Sequence, residues 1–390
     1  MKRTWLLLLF IGLPGWTPRA VAGSDSPASV LGDRYKKEIF SSVKVNRDLL
    51  YGQAVNQATG KNEKLRLDLY EPKGDTEPKR PAIVLIHGGG FTKGDKESQV
   101  IVQLAKRFAK RGYVTVSIDY RLSKEFSHSD TTKVYQAVTQ AYQDAKAAIR
   151  WLRKYAQDYR IDSHRIAVGG VSAGAITALH AAYEEDEGNS GNSGYSSEVA
   201  VAISVAGALV YDSIMEAGEA PFIAFHGYLD FIVPYQQALE LSQRAKAIGL
   251  KYALYSYMAG HDLSPYIEDI VQRTTDFLYQ YMIQSGPTSV QQPGAPVPMT
   301  LRLHQNYPNP IRLSAGSRIT QIAYELSSPG DVTLKLYNVL GQEIATLAQG
   351  WHEAGRFRYN LDIRRLPPGL YIYQLRSGNQ VLSRKFIISR

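Results

Sequence analysis

The chain has 390 residues, with 45 Lys and Arg against 36 Asp and Glu, and it contains no cysteine. At about 150 residues per domain, this length allows two or three domains. The absence of cysteine excludes disulfide scaffolds, thiolate zinc sites, iron–sulfur clusters and a cysteine nucleophile. A covalent catalyst in this chain must therefore use oxygen or nitrogen.

The net charge of +9 is carried by the two ends of the chain. Residues 1–22 hold three cations and no anion, and residues 301–390 hold 12 cations against 5 anions. Residues 23–300 are left with 30 cations and 31 anions. A nucleic-acid-binding domain carries its basic excess on the binding face. The neutral middle of the chain therefore argues against nucleic acid as a partner.

The first 22 residues are predicted to be a secretory signal peptide. Lys2 and Arg3 precede an apolar run over residues 5–13, and residues 20–22 (Ala-Val-Ala) are the small residues that a signal peptidase recognises. A membrane anchor is the alternative, but this run is too short to span about 30 Å of hydrocarbon. No later run approaches about 18 apolar residues, so we expect no stable transmembrane segment after signal removal.

Residues 23–284 are predicted to form an α/β domain with a mostly parallel central sheet and helices on both faces. Apolar runs of strand length recur, separated by stretches whose apolar residues lie three and four apart, the spacing of helices packed on a sheet. Residues 42–45 and 65–70 alternate in period two and predict antiparallel strands at one edge. The further strands are expected at residues 82–86, 114–118, 166–168, 199–205 and 222–225, and the helices at 100–109, 135–155, 175–183 and 236–248.

The remaining segments differ in composition. Residues 184–197 are acidic and rich in Gly, Ser and Asn, and they are expected to form a mobile surface loop. Residues 285–300 contain four prolines without helical or strand pattern and are predicted to be an extended linker. From 301 to 390, short alternating strands separated by Gly and Pro turns predict a small all-β sandwich. Its strands are expected at residues 320–326, 332–337, 356–361, 371–375 and 381–388.

A candidate nucleophile lies in the segment Gly170-Val171-Ser172-Ala173-Gly174, between a predicted strand and a predicted helix. A serine on such a sharp turn needs neighbours without side chains, and the turn exposes its Oγ at the edge of the sheet. Gly-x-Ser-x-Gly also occurs by chance, and the serine could instead act as the N-cap of the helix. The position between strand and helix favours the nucleophile.

A second motif, His87-Gly88-Gly89-Gly90, directly follows the predicted strand at residues 82–86. Three glycines allow backbone N–H groups to point at one position, which is what an oxyanion requires. A phosphate-binding loop is the alternative, but neither Gly-x-Gly-x-x-Gly nor Gly-Lys-Ser/Thr is present. The loop is therefore a candidate oxyanion hole.

With these two motifs, residues 40–284 resemble the α/β-hydrolase superfamily, and in particular serine esterases with a His-Gly-Gly-Gly loop. The hormone-sensitive-lipase-like and the feruloyl or acetyl-xylan esterase groups are the most similar. In that family an acid and then a histidine follow the serine along the chain. Residues 226–234 (His-Gly-Tyr-Leu-Asp-Phe-Ile-Val-Pro) match the loop that carries the acid, and residues 260–262 (Gly-His-Asp) match the histidine loop.

The resemblance implies a carboxylic ester hydrolase that forms an acyl-enzyme and needs no metal or organic cofactor. Its site would consist of a catalytic triad and an oxyanion hole of backbone N–H groups. The triad would be Ser172, His261 and Asp230, and the oxyanion hole would come from Gly89, Gly90 and Ala173.

Other roles are considered for four nearby residues. Asp212 is an alternative acid, because related lipases sometimes take the acid from the end of the preceding strand. His87 and His226 each end a strand and are expected to be structural. Asp262 lies beside the candidate histidine and is expected to cap a helix that begins at residue 263.

The sequence gives fewer indications about the substrate. Only 16 residues, 206–221, separate two predicted strands where many lipases insert a lid, so an open site is expected. An open site suits short acyl chains or esters displayed on a polymer, and together with export it predicts short acyl (acetyl) or feruloyl esters on plant polysaccharide as substrates. A polyesterase acting on synthetic or microbial polyester is one alternative. A non-catalytic surface or adhesion protein on a hydrolase scaffold is another.

Residues 301–390 resemble the type A C-terminal sorting domain of the type IX (Por) secretion system. The matching segments are residues 303–310 (Leu-His-Gln-Asn-Tyr-Pro-Asn-Pro), 322–326, 332–343 and 369–373 (Gly-Leu-Tyr-Ile-Tyr). The resemblance implies that the type IX machinery is a partner, and that the protein is exported through the periplasm of a Gram-negative bacterium to the cell surface or the medium. A carbohydrate-binding sandwich is the alternative, but Trp351 and scattered tyrosines do not form a planar aromatic strip.

Overall fold

The computed structural model of the protein describes residues 32–124, 130–210, 214–284, 301–306, 309, 311–312, 319–326, 328–353 and 355–389. The predicted signal peptide, the predicted linker and Asp212 lie outside these residues. Among the helices of the described ranges, none has the length and apolar composition that crossing a membrane requires.

An eight-stranded sheet organises the described residues up to 284, with the strand order β1-β2-β4-β3-β5-β6-β7-β8. β1 pairs antiparallel with β2, and β2 pairs antiparallel with β4. The pairs β4–β3, β3–β5, β5–β6, β6–β7 and β7–β8 are all parallel. The predicted α/β class, with an antiparallel edge on a mostly parallel sheet, is confirmed. The strands are β1 (Val43–Val55), β2 (Asn62–Pro72), β3 (Arg80–Ile86), β4 (Val114–Ile118), β5 (Ile161–Val171), β6 (Val201–Val205), β7 (Phe222–Gly227) and β8 (Tyr252–Tyr257).

Helices cover both faces of this sheet. The sequence of β3 is continuously apolar because both of its faces are buried. Ala82, Val84 and Ile86 face one core, whereas Ile83 and Leu85 face the other. Helices α2, α3 and α4 contribute to the first core, and α1 and α5 contribute to the second. The helices are α1 (Gln99–Ala109), α2 (Thr131–Lys154), α3 (Ala173–Tyr183), α4 (Tyr235–Ile248) and α5 (Ile267–Leu278), with a 3₁₀ turn at Ser264–Tyr266 and a π-helical turn at Tyr279–Gln284.

The topology brings the motif-bearing loops to one edge of the sheet. Strands β3, β5, β7 and β8 run parallel and end at Ile86, Val171, Gly227 and Tyr257. In an open α/β sheet, ligands bind outside the carboxyl ends of the strands. The glycine loop, the serine turn, the acid loop and the histidine loop each follow one of these strands, so they share that edge.

The acidic loop after α3 is anchored, unlike the mobile loop that its composition suggests. Ser190 is buried, and its hydroxyl donates to Asp144 at 2.6 Å. The guanidinium of Arg150 donates to the carbonyl oxygens of Glu187 at 2.7 Å and Gly191 at 2.9 Å. The partners Asp144 and Arg150 lie on α2, about 40 residues earlier in the chain, so the loop's own composition gives no sign of them.

The described residues beyond 300 form two β-sheets around one apolar core. A five-stranded sheet has the order β10-β16-β15-β12-β13, and a three-stranded sheet has the order β14-β11-β9. Strand β13, with Gly350 near its end, has no counterpart among the strands expected from the sequence. The core includes Leu334, Tyr373 and Phe386. The strands are β9 (Arg302–Leu303), β10 (Ile311–Arg312), β11 (Ile319–Leu326), β12 (Gly330–Asn338), β13 (Glu343–His352), β14 (Gly355–Asp362), β15 (Gly369–Ser377) and β16 (Gln380–Ser389).

Candidate active site

Ser172 occupies the sharp turn between β5 and α3. Its backbone has φ = 56° and ψ = −122°, a conformation that costs free energy for a residue with a side chain. The turn packs closely on β3, because a Cβ on Gly174 would overlap the carbonyl oxygen of Ile86. A Cβ on Gly170 would overlap the backbone of Gly174. Both glycines of the motif are thus required by packing, and the Ser172 side chain makes no N-cap hydrogen bond with α3.

Ser172, His261 and Asp230 form one chain of hydrogen bonds. The Ser172 Oγ lies 2.8 Å from His261 Nε2, and His261 Nδ1 lies 2.7 Å from Asp230 Oδ2. With the proton on Nδ1, the imidazole donates to the carboxylate and its Nε2 accepts the serine hydroxyl proton. The Asp230 side chain is fully buried and that of His261 is partly exposed. Three residues separated by up to 89 positions therefore assemble as a nucleophile, a base and an acid would.

The Asp230 carboxylate is also bound to its own loop. Its Oδ1 accepts the backbone N–H groups of Ile232 and Val233, both at 2.9 Å. The buried His226 places Nε2 2.8 Å from the carbonyl oxygen of Val233 and 3.3 Å from Asp230 Oδ2, so Nε2 carries the proton. Burial lowers the pKa of His226, which favours this neutral form. The sequence indicated a structural role for His226 but not its contact with the candidate acid.

The glycine loop after β3 faces the serine turn. Gly89 and Gly90 have φ of +119° and +60°, and a Cβ on Gly89 would overlap the carbonyl oxygen of Lys93. His87 is buried, donates from Nδ1 to the carbonyl oxygen of Gly88 at 2.7 Å and stacks on Tyr120 at 4.4 Å. His87 is thus held within its own loop, as expected of a structural residue.

The candidate oxyanion donors remain available to a ligand. Ala173 is the first residue of α3, where a helical N–H has no partner within the helix. Among the loop and turn hydrogen bonds between backbone groups of the described residues, none uses the N–H of Gly89, Gly90 or Ala173. All three residues line the same cleft as Ser172.

A cleft of about 1100 Å³ opens beside the serine. Its lining includes the glycine loop, Ser172 and His261, and its walls are mainly aliphatic. This composition suits an uncharged acyl group and provides the low-polarity surroundings in which hydrogen bonds to a developing charge are strong. The aliphatic wall residues include Val100, Val134, Val138, Ile176, Val210, Ile232, Leu263 and Ile267.

The other residues considered from the sequence lie as follows. Asp262 accepts the N–H and the hydroxyl of Ser264, both at 2.9 Å, so it closes the turn that begins the 3₁₀ segment and does not cap a helix at residue 263. These hydrogen bonds lower the pKa of Asp262. The rings of Tyr235 and Tyr266, which lie near the candidate loops, pack against those of Tyr228 and Tyr257.

Two family models match separate parts of the chain. Residues 67–215 match the model described as BD-FAE. Residues 305–389 match the model described as secretion system C-terminal sorting domain. The first match contains the glycine loop and the serine turn, and the second contains nearly all of the C-terminal β-sheets.

Individual relatives are similar over the same α/β part. The chain is 24% identical to the probable isoprenylcysteine alpha-carbonyl methylesterase ICMEL1 of Arabidopsis thaliana, over 63% of this chain and 56% of that protein. It is 36% identical to carboxylesterase NlhH of Mycobacterium tuberculosis, over 28% of this chain and 31% of that protein. The chain thus spans less than two thirds of the length of these curated relatives.

Among solved structures, esterase 2 of Thermogutta terrifontis phosphorylated by paraoxon superposes with a TM-score of 0.51. It is 26% identical to this chain, and the match covers 62% of this chain and 95% of the esterase. The likeness extends over almost the whole esterase, so the eight-stranded sheet and its helices form an α/β-hydrolase fold. The described residues up to 284 therefore have an α/β-hydrolase fold that resembles BD-FAE over residues 67–215, and residues 305–389 resemble a secretion system C-terminal sorting domain.

Proposed function

We propose that the protein is an exported serine carboxylic ester hydrolase. The hydrogen-bonded chain from Ser172 through His261 to Asp230, with the serine on a strained turn facing an apolar cleft, carries the proposal. The relatives that match the same part of the chain are described as esterases, which supports it.

In the first half-reaction, Ser172 Oγ attacks the ester carbonyl carbon while His261 Nε2 takes the hydroxyl proton. Asp230 stabilises the resulting imidazolium through Nδ1. The tetrahedral oxyanion accepts hydrogen bonds from the N–H groups of Ala173, Gly89 and Gly90. As the C–O bond to the leaving group breaks, His261 returns the proton to the departing alcohol.

In the second half-reaction, water attacks the acyl-enzyme and His261 takes its proton. The carboxylic acid leaves, and the proton returns to Ser172. Apart from the ester and the water molecule, each of these steps uses only groups of the chain.

The substrates we propose are esters of short or aromatic acyl groups, including acetyl and feruloyl groups, carried by a small alcohol or by a polymer. In the described part of the 206–221 connection, residues 206–210 and 214–221 contain no α-helix that could form a lid, which supports an open site. A cleft of about 1100 Å³ with aliphatic walls has room for a flat aromatic acyl group.

Turnover of p-nitrophenyl acyl esters from acetate to palmitate tests the proposal. The full chain should turn over the short esters fastest, and Ser172→Ala should abolish turnover while its thermal unfolding midpoint shows that it is folded. Ser42→Ala, at an exposed position ahead of β1, is the matched control and should keep its activity. Absence of Ser172-dependent turnover on every ester would refute the proposal.

Paraoxon offers a second and independent measurement, because the Thermogutta esterase 2 is described as phosphorylated by it. The proposed nucleophile should displace p-nitrophenolate from paraoxon and keep a diethylphosphoryl group on Oγ. We expect about one equivalent of p-nitrophenolate per chain and a single modified peptide containing Ser172. Modification of another residue would contradict the assignment of the nucleophile.

We further propose that residues 301–390 direct export through the type IX secretion machinery, after residues 1–22 direct entry into the periplasm. The match of residues 305–389 to a secretion system sorting domain supports this route. In a Gram-negative host that has the machinery, the full chain should reach the surface or the medium. Equal export of a chain truncated after residue 300 would contradict the proposal.

A further inference from the structure

Four large apolar side chains are exposed together beside the candidate active site. Leu229, Phe231 and Ile232 lie on the loop after β7, and Met258 lies just after β8. Phe231 is 89% exposed and Met258 is 74% exposed. The two segments are neighbours, because the N–H of Leu229 donates to the carbonyl oxygen of Ala259 at 2.9 Å. These four residues are called the apolar rim below.

The apolar rim is continuous with the cleft. Ile232 belongs to both, since its exposed side chain also lines the cleft that contains Ser172 and His261. A molecule seated in the cleft with its ester carbonyl at Ser172 can therefore extend past Ile232 onto the rim. The charged residue on the same loop, Asp230, is turned inward and buried.

The rim is held in its exposed position. Asp230 Oδ1 binds the N–H groups of Ile232 and Val233, and His226 binds the carbonyl oxygen of Val233. Val233 itself is buried and fixes the next turn of the loop. Contiguous exposed apolar side chains are unfavourable in water and commonly mark a binding surface. The loop cannot turn Phe231 and Ile232 inward without breaking these hydrogen bonds, so they stay available to a binding partner.

The chemistry of the rim favours an apolar solid over a hydrated polysaccharide. Three of its four side chains are aliphatic or thioether chains, so Phe231 is the one member of the rim with a flat face for a sugar ring. The nearby aromatic ring of Tyr228 packs on Tyr235, with the ring centroids 4.6 Å apart. A long acyl chain of a triglyceride would need an enclosed tunnel, whereas an open cleft bordered by apolar side chains accommodates a segment of a continuing polymer chain.

We propose that the apolar rim adsorbs the surface of a water-insoluble polyester and presents its ester bonds to the cleft. This inference rests on the proposed ester hydrolase activity and identifies the carrier of the ester. Adsorption at the rim removes water from the apolar side chains of both partners. The polymer chain then continues from the rim past Ile232 to Ser172.

The test uses the full chain and two double variants. Phe231→Ser with Met258→Ser removes the two most exposed side chains of the rim. Leu50→Ser with Val55→Ser is the control, because Leu50 and Val55 are also exposed apolar residues and lie on β1, outside the rim. Each protein is assayed for adsorption to polycaprolactone particles, for release of soluble acid from them and for turnover of soluble p-nitrophenyl butyrate. Thermal unfolding shows whether each variant is folded.

The rim variant should lose at least about tenfold in the ratio of particle hydrolysis to p-nitrophenyl butyrate turnover, with weaker adsorption, as expected from losing two apolar contacts. The control variant should keep that ratio within about twofold, as is usual for a surface substitution. An unchanged ratio in the rim variant would overturn the inference.

Other outcomes also separate the inference from the proposed function. Turnover of p-nitrophenyl butyrate without any attack on the particles overturns the polyester inference alone, whereas no turnover of either substrate overturns the ester hydrolase itself. If the wild-type protein is a dimer and the rim variant a monomer, the rim is a contact between copies of the chain. A selective loss on feruloylated arabinoxylan would assign the rim to polysaccharide instead.

Discussion

Replacement of Asp230 by asparagine separates the two tasks of this carboxylate. Oδ1 holds the loop through the N–H groups of Ile232 and Val233, and Oδ2 accepts the Nδ1 proton of His261 at 2.7 Å. The new side chain has almost the same shape, so the loop can stay as it is. Only the hydrogen-bonding character of one of its two terminal atoms changes.

The surroundings decide how the asparagine side chain is oriented. Its oxygen must remain at the Oδ1 position, because an NH₂ group there would face two backbone donors. The NH₂ group then lies where Oδ2 was and points at His261 Nδ1. Facing this donor, His261 Nδ1 can only accept a hydrogen bond, so the ring proton moves to Nε2. A protonated Nε2 cannot take the proton of Ser172 Oγ, which lies 2.8 Å away.

The expected loss is about 10⁴-fold in kcat, the size measured when a triad histidine is held in the wrong tautomer. At 1.36 kcal/mol per tenfold change, this corresponds to about 5 kcal/mol of transition-state stabilisation. KM should change little, because Asp230 is not among the residues that line the cleft. Steady-state kinetics on p-nitrophenyl butyrate give both constants, and thermal unfolding should show a stable variant.

Asp212→Asn is the comparison for this variant, since Asp212 is the alternative acid considered from the sequence. It should keep its turnover. If Asp230→Asn stayed within about tenfold of the wild-type kcat while Asp212→Asn lost activity, the orientation argument would be wrong and the acid would be Asp212.

Three predictions concern stability. Gly174→Ala places a Cβ on the carbonyl oxygen of Ile86 and should lower the free energy of unfolding by at least about 2 kcal/mol in urea denaturation. Arg121→Met removes the arginine that pairs with the buried carboxylate of Asp144. It should lower the free energy of unfolding by about 3–5 kcal/mol in the same assay. Burial lowers the pKa of His180 from 6.5 to about 4, so unfolding takes up a proton between these values. The free energy of unfolding should therefore fall as the pH drops from 6.5 to 4, and His180→Phe should remove up to about 3 kcal/mol of that fall.

The position of the candidate site could be predicted from the sequence because parallel strands share a direction. The glycine loop, the serine turn and the acid loop each directly follow a predicted strand of one parallel sheet, so these three must meet at its carboxyl edge. The serine, the acid and the histidine follow β5, β7 and β8, and these strands have the same order in the sheet as along the chain. His261 reaches Ser172 across 89 positions for this reason, although nothing local in the sequence joins the two residues.

The loops could not be predicted in the same way. Residues 184–197 have the composition of a mobile loop, yet Arg150 and Asp144 on α2 anchor them. Such contacts depend on which face of a distant helix lies beneath the loop. The run Phe231-Ile232-Val233 shows the opposite case, because its apolar composition indicates burial but only Val233 is buried.

The reason for this exposure lies in Asp230. Its carboxylate has to point inward to reach His261, and in that position it also binds the two following N–H groups. In the turn that these hydrogen bonds close, the side chains of Phe231 and Ile232 lie on the solvent side. One carboxylate therefore orients the proposed base through Oδ2 and, through Oδ1, holds the loop that carries Phe231 and Ile232 of the proposed adsorption surface.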